Sequence, residues 1–266
     1  MKTENSSKGG IQVSAFLVIL CCLAVTFTIF FFVFGSAHNF EKNDTANHPL
    51  NIMGTIYKGG IIVPIIQGLL LTVVVLSVER FFALTRANGK GNLTKFVQNI
   101  RLNLQEGNVE RAKELCHEQK GSVANVVESA LGKYKEMEAN SELSKEQKLL
   151  TIQKEIEEAT ALEMPGLEQN LAVVATMTTL GTLLGLLGTV VGMIRAFAAM
   201  ATAGAPDSIA LSTGISEALI NTAFGIGTGA LAVISYNYFT SKIDRITYVI
   251  DEVGFTIVQS YSTSHK

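Results

Sequence analysis

Four long apolar stretches constrain this chain more than anything else in its sequence. They run from Ile11 to Phe34, Ile61 to Val78, about Leu171 to Ile194 and about Ile209 to Phe239. The first three carry no charged residue, and the fourth carries one, Glu217. A membrane-spanning helix needs about 20 mostly apolar residues. In lipid the backbone has no water to bond, so each stretch has to be a helix. Composition agrees: only 17% of the residues are charged, against about 25% in soluble domains, and mean hydropathy is +0.33. With no tryptophan, any aromatic belt must use Tyr and Phe. A net charge of −2 supplies no basic field for nucleic acid.

Basic residues orient the spans. Lys2 and Lys8 precede the first; Arg80, Arg86, Lys90, Lys95 and Arg101 follow the second, with no acidic residue between Glu79 and Glu106; Lys242 and Arg245 follow the fourth. By the positive-inside rule these ends are cytoplasmic. The expected architecture is an all-α polytopic membrane protein with four transmembrane helices, both termini cytoplasmic, and a helical cytoplasmic insertion between helices 2 and 3. Its expected segments are a cytoplasmic N-terminus at 1–10, an additional helix at 11–34, a periplasmic loop at 35–60 and helix 2 at 61–79. Then come the cytoplasmic region 80–169, helix 3 at 170–200, a short periplasmic loop at 201–208, helix 4 at 209–240 and a cytoplasmic C-terminal helix at 241–266. The first span is longer than the usual signal-peptide core, and no small-residue cleavage site follows cleanly; Gly35-Ser36-Ala37 leaves a cleaved signal as the alternative.

The insertion reads as helices. Leu93, Phe96, Val97, Ile100 and Leu104 recur at helical spacing, Gly107-Asn108 breaks the pattern, and Gly121 opens a further helix. Ser144-x-x-Gln147 is a capping-box pattern, and Pro165-Gly166 predicts a kink or break before the third span. Gly89-Lys90-Gly91-Asn92 lacks the ending of a phosphate loop, so no nucleotide cofactor is expected. The spacing of Cys21, Cys22 and Cys116 suits neither zinc nor a disulfide framework. No nucleophile–base pair is recognisable, and an enzyme is not expected.

The last two spans hold the informative residues. Gly181, Gly185, Gly188 and Gly192 fall within about 60° of one another on a helix. Such a small-residue stripe permits close helix approach. Thr178, Thr182 and Thr189 run beside it. In the fourth span a carboxylate at mid-membrane costs about 2.5–3.5 kcal/mol on insertion scales. Asn221 and Thr228 share the Glu217 face within about 40°, and Thr222 lies on another face near Gly225. Two readings stand for these residues: helix packing with a structural Glu holding subunits together, or a proton or cation path along hydroxyls that both donate and accept.

These stretches resemble the ExbB/TolQ/MotA family of proton-channel subunits, the ExbB/TolQ branch most closely. Gly185-Leu-Leu-Gly-Thr-Val-Val-Gly-Met193 looks like the family's GL-F/L-GTV-x-G motif, and Gly214-Ile-Ser-Glu-Ala-Leu-Ile-Asn-Thr-Ala-Phe-Gly225 looks like its GI-x-EAL-x-x-TA-x-G motif. The resemblance covers about Ile61 to Phe239; the last two spans are specific, and the insertion is only compatible. It implies that Thr189 and Thr222 line the pore and that Glu217 is the motif glutamate. Gly181, Gly185, Gly188, Gly192 and Gly225 would pack the helices. It also implies a homopentamer in the bacterial inner membrane around an ExbD/TolR-type dimer of single-span helices, whose aspartate binds the proton. Output would pass to TonB or a TolA-type protein. Two features depart from the pattern. The helix at 11–34 is additional, expected on the lipid-facing rim, and Thr182 stands where a proline is typical. The alternatives are a flagellar or gliding stator, an ion-coupled secondary transporter using Glu217, and a scaffold.

Overall fold

The computed structural model describes residues 15–45, 47–202 and 208–265. The expectations for residues 1–14 and for most of the short loop at 201–208 lie outside them. Nine α-helices follow one another among the described residues: α1 Ala15–Ile29, α2 Ile52–Lys58, α3 Ile62–Ala87, α4 Leu93–Gln105, α5 Val109–Gln119, α6 Gly121–Ala139, α7 Lys145–Glu168, α8 Leu171–Thr202 and α9 Ser208–Ser264. No strand occurs among them, and one isolated bridge pairs Phe40 with Pro49. Four helical stretches are long and apolar enough to cross a membrane: 15–34, and parts of 62–87, 145–198 and 211–264. The chain is thus an all-α, multi-pass membrane protein. It divides into two compact units, one of residues 1–77 with 173–236 and one of 78–172 with 237–266.

In the first unit, α1 is apolar all round, so position rather than composition decides which face is buried. Val18, Cys22 and Thr26, spaced one turn apart, are buried, while Phe16, Leu17 and Leu20 stay exposed. Val18 and Cys22 pack with Leu76 and Val174. A neighbouring cluster joins Leu69, Val73, Met177 and Ala232 from α3, α8 and α9. Gly68 lets α1 come close, because a Cβ there would sit 2.5 Å from Leu23. After α1 the chain makes a π-helical turn, Phe30–Phe34.

The segment expected to be only a loop, 35–60, is built more tightly than that. The Asn39 amide donates to the carbonyls of Val33 (2.7 Å) and Phe34 (3.0 Å), and Asn51 donates to Asn39 Oδ1 at 2.9 Å. Asn51 also caps α2 by accepting from Gly54 N at 2.9 Å. Tyr57 stacks on Phe30 with ring centroids 4.8 Å apart. These polar side chains satisfy backbone groups that the turns leave open, and a short helix replaces free loop.

The second unit is a helical cluster whose caps come from the local sequence. Asn92 caps α4, Asn108 caps α5, and Ser144 with Gln147 forms the expected capping box on α7. The far part of α9 contributes Ile243, Ile246, Ile250, Val253, Ile257 and Tyr261, all buried, at spacings of three and four. Tyr261 meets Tyr134 of α6 edge-on, and Ser260 Oγ donates to the Leu104 carbonyl of α4 at 3.3 Å.

Three boundaries differ from expectation, each for a physical reason. Helix α3 continues past the apolar run to Ala87, and the first charges after that run are paired. Arg80 is 1% exposed and forms a fork with the Glu79 carboxylate. Helix α7 passes through Pro165 and ends at Glu168, with the break at Gln169–Asn170, where Asn170 takes φ +63°. There Arg80 donates to the carbonyls of Gly166 (3.2 Å) and Leu167 (3.4 Å), a cation on the open C-terminal end of a helix. Helix α9 shows no break near 240: one helix runs from the apolar stretch into the amphipathic one.

Candidate functional site

The sequence motifs meet where α8 lies against α9, and glycine makes this approach possible. A Cβ on Gly225 would sit 2.6 Å from both the Gly181 carbonyl and the Gly185 Cα. One on Gly185 would meet Gly225 Cα at 3.0 Å, one on Gly181 would meet Thr228 at 3.0 Å, and one on Gly192 would meet Ala218 at 3.0 Å. Gly188 is tightest, with Asn221 Cβ 2.3 Å from the position a methyl would take. Backbones this close gain dispersion contact that larger residues would prevent. All five glycines that the sequence assigns to packing therefore lie in the α8–α9 contact.

Thr189 and Thr222 face each other across this contact, their hydroxyls in a short hydrogen bond. Both are half-buried. Each also has carbonyls in reach. Thr189 Oγ1 is 3.1 Å from the Gly185 carbonyl of its own helix and 3.5 Å from that of Ala218. Thr222 Oγ1 is 3.3 Å from Ala218 O and 3.5 Å from Gly185 O. A hydroxyl has one proton to give and two lone pairs. The pair therefore holds two protons among more acceptors than it can satisfy at once, and rotation about each C–O bond can redistribute them. Thr182 bonds its own helix at Thr178 O, 3.1 Å, and Thr228 is fully buried against Gly181.

Glu217 and Asn221 lie on the neighbouring face of α9. The Asn221 amide donates to the Gly59 carbonyl, at the α2–α3 junction, at 3.0 Å, and to the Glu217 carbonyl at 3.1 Å. Asn221 is 2% exposed and its Oδ1 has no partner among the described residues. Glu217 is half-buried, with Arg195 and Lys58 as the cations acting on its carboxylate. The Arg195 guanidinium in turn lies over Gly60, 2.9 Å from where a Cβ would be. Sequence reasoning grouped Glu217 with Asn221 and Thr228 on one face of the fourth span and made no use of Arg195. The signal was there, one residue past the uncharged stretch that ends near Ile194 and inside the helix expected at 170–200. It brings the carboxylate to a charged corner where α2, α3, α8 and α9 converge, while the two threonines sit together on a separate face.

No group of three or more metal-ligating side chains occurs among the described residues, and the three cysteines are free thiols.

Comparison with known proteins decides the family. Residues 121–252, from the start of α6 through most of α9, match the model of the MotA/TolQ/ExbB proton channel family. The chain belongs to that family. The match includes α6 and α7, which the sequence motifs left as merely compatible, and does not include α1 to α5. Among curated relatives, a putative biopolymer transport protein, ExbB-like 3, of Synechocystis is 33% identical over 112 residues, 41% of this chain and 53% of that protein. A Tol-Pal system protein TolQ of Pseudomonas aeruginosa is 35% identical over 88 residues, 33% of this chain and 38% of that one. A biopolymer transport protein ExbB of Xanthomonas campestris is 24% identical over 115 residues, 43% and 46% respectively. The chain thus spans about half or less of the length of these relatives. Their names place its likeness on the ExbB/TolQ side of the MotA/TolQ/ExbB family.

Proposed function

We propose that the chain is the proton-channel subunit of an energy-transducing motor in a bacterial inner membrane. It is not an enzyme; it converts proton motive force into mechanical work for transport or integrity at the outer membrane. The observation that carries this reading is the hydroxyl pair of Thr189 and Thr222. The two threonines come from the two motifs, 33 residues apart, and meet at the half-exposed edge of the α8–α9 contact. A packing-only role needs the glycines but no such pair. A hydroxyl that gives its proton to one neighbour while accepting from another can pass a proton along a water chain. In this account Thr189 and Thr222 line the path, and Glu217, with Arg195 and Lys58, sets the field at its mouth. Glycines 181, 185, 188, 192 and 225 hold the two helices at the separation the pair requires.

The homopentamer, the ExbD/TolR-type partner dimer in its pore and the TonB or TolA-type output protein come into the proposal from the family resemblance. So do the cytoplasmic position of α4–α7 and of both termini, which the run of basic residues from Arg80 to Arg101 supports. Native mass spectrometry after co-expression with a single-span partner tests the assembly. A five-to-two complex is the expected result. A stable monomer or dimer that takes up no partner contradicts it and favours an ion-coupled transporter with Glu217 as the coupling site.

A further inference from the structure

The second unit holds a cavity of about 940 Å³ where the end of α3, the start of α4 and the middle of α9 come together. The channel reading makes no use of it. Its floor is fixed by the turn between α3 and α4. Lys90 N donates to Gln119 O at 2.6 Å, and the Gln119 amide reaches Asn88 O at 3.3 Å. Gly89 takes φ +74°, and a Cβ there would sit 2.1 Å from the Lys120 carbonyl, so the turn is held in one conformation. Asn92, Leu93 and Thr94 line the cavity, so the N-terminus of the 13-residue α4 opens onto it. That end carries the positive pole of the helix.

The opposite wall is one face of α9. Ser241, Lys242 and Arg245 line it, all exposed to solvent, with Glu252 further along. Glu252 is about 10 Å from Arg245 and about 15 Å from Lys242 along the helix axis, so the two cations dominate the near end. That near end adjoins the apolar stretch: Lys242 follows Phe239 by three residues. The Lys242 ammonium is held over two rings, 5.2 Å from the centroid of Tyr238 and 5.7 Å from that of Phe81. Phe81, Phe82 and Tyr238 are about half exposed. Aromatic rings beside a lysine and an arginine at the end of a span belong at the headgroup level of a bilayer. A basic pocket at that depth selects anionic headgroups.

We propose that this cavity binds the phosphate of an anionic phospholipid from the leaflet at the basic ends of the spans. Lys242 and Arg245 are the charge partners, Ser241 is the neutral donor beside the Asn92-capped positive end of α4, and Phe81, Phe82 and Tyr238 lie along the acyl chains. Arg245 offers a planar fork that matches two phosphate oxygens. None of these residues is among those assigned to the proton path.

The test uses the full chain in mild detergent, titrated with phosphatidylglycerol or phosphatidylcholine and read by native mass spectrometry. The wild type should retain one phosphatidylglycerol per chain, at least tenfold in preference to phosphatidylcholine. Lys242→Gln/Arg245→Gln should lose at least tenfold in retention, and Lys242→Arg should keep it. Ser241→Asp, which adds an anion without removing a base, should lose it as the double variant does. Lys95→Gln, on α4 but outside the cavity, should leave it unchanged. Equal retention of the two lipids, or equal retention by the double variant and the wild type, overturns the proposal. Displacement of the lipid by millimolar inorganic phosphate also overturns it, assigning the cations to a free anion. So does an oligomer that carries no lipid at all, since a second chain then fills the groove.

Discussion

At the residue scale, hydroxyl, guanidinium and thiol each answer to a different test. Thr189 and Thr222 each have a carbonyl of their own helix to fall back on. Replacing either by valine should therefore lower stability by under about 1.5 kcal/mol while removing the proposed path. Thermal unfolding of each variant in detergent checks the first half of that expectation. Arg80 is a harsher case. Arg80→Met leaves the carbonyls of Gly166 and Leu167 without this donor and Glu79 with only the Asn170 amide, 3.5 Å away. That should cost about 2–4 kcal/mol, read as a fall in unfolding midpoint. Arg80→Lys should recover only part of it, since an ammonium cannot form the fork. Burial, reinforced by Glu128, pushes the Cys116 thiol up to about 12 from an ordinary 9.0. The unfolded chain then loses this proton before the folded one does. The stability it contributes is complete below pH 9 and is lost as pH rises towards 12. Cys116→Ala should flatten that part of the stability–pH curve. Wild-type Cys116 should also resist alkylation at neutral pH unless the protein is unfolded.

At the scale of elements, the glycines divide by what stands opposite them. Gly188→Ala puts a methyl 2.3 Å from Asn221 Cβ, so α8 and α9 must separate. About 1–3 kcal/mol is the expected cost of such overpacking. Gly132 in α6 has nothing within 4 Å. Gly132→Ala should gain up to about 1 kcal/mol, because alanine is the better helix former. Measuring both unfolding midpoints separates glycines needed for close approach from one that is not. The elements themselves were largely legible. Hydropathy gave the spans, apolar periodicity with the Ser144 capping-box pattern gave the helices of the insertion, and the small-residue period gave a face of α8 suited to close approach. What escaped was long-range. The sequence cannot say that Arg80 meets the end of α7, 86 residues further along the chain, so the break was expected at Pro165 rather than at Asn170. Nor can it say that Asn39 and Asn51 tie down the turns before α2. Arg195 was readable as a lone cation near the end of the third span, but its action on Glu217 is a contact between two helices that no local pattern encodes.

At the scale of the molecule, exposure is the informative quantity. Leu183, Leu186, Val190, Ile194 and Phe197 of α8, and Leu219, Ile226 and Ile234 of α9, are all exposed in the single chain. Lipid and neighbouring helices are the environments that suit such faces. The proposed ring accounts for them together with the half-exposed threonine pair, which needs a further surface to become a path. The additional helix α1 uses one side to pack on α3 and leaves Phe16, Leu17 and Leu20 exposed, as is Phe32 in the π-helical turn that follows. Such an outward face suits the lipid-facing rim proposed for it.

The claim that everything else depends on is that protons pass by Thr189 and Thr222. The direct measurement is proton flux into proteoliposomes carrying the chain co-purified with its single-span partner, driven by a potassium diffusion potential. The account predicts flux for the wild type, a loss of at least tenfold in Thr189→Val and in Thr222→Val, and wild-type flux in Gly132→Ala. Flux that is unchanged in both valine variants, with complexes of wild-type mass, would contradict it.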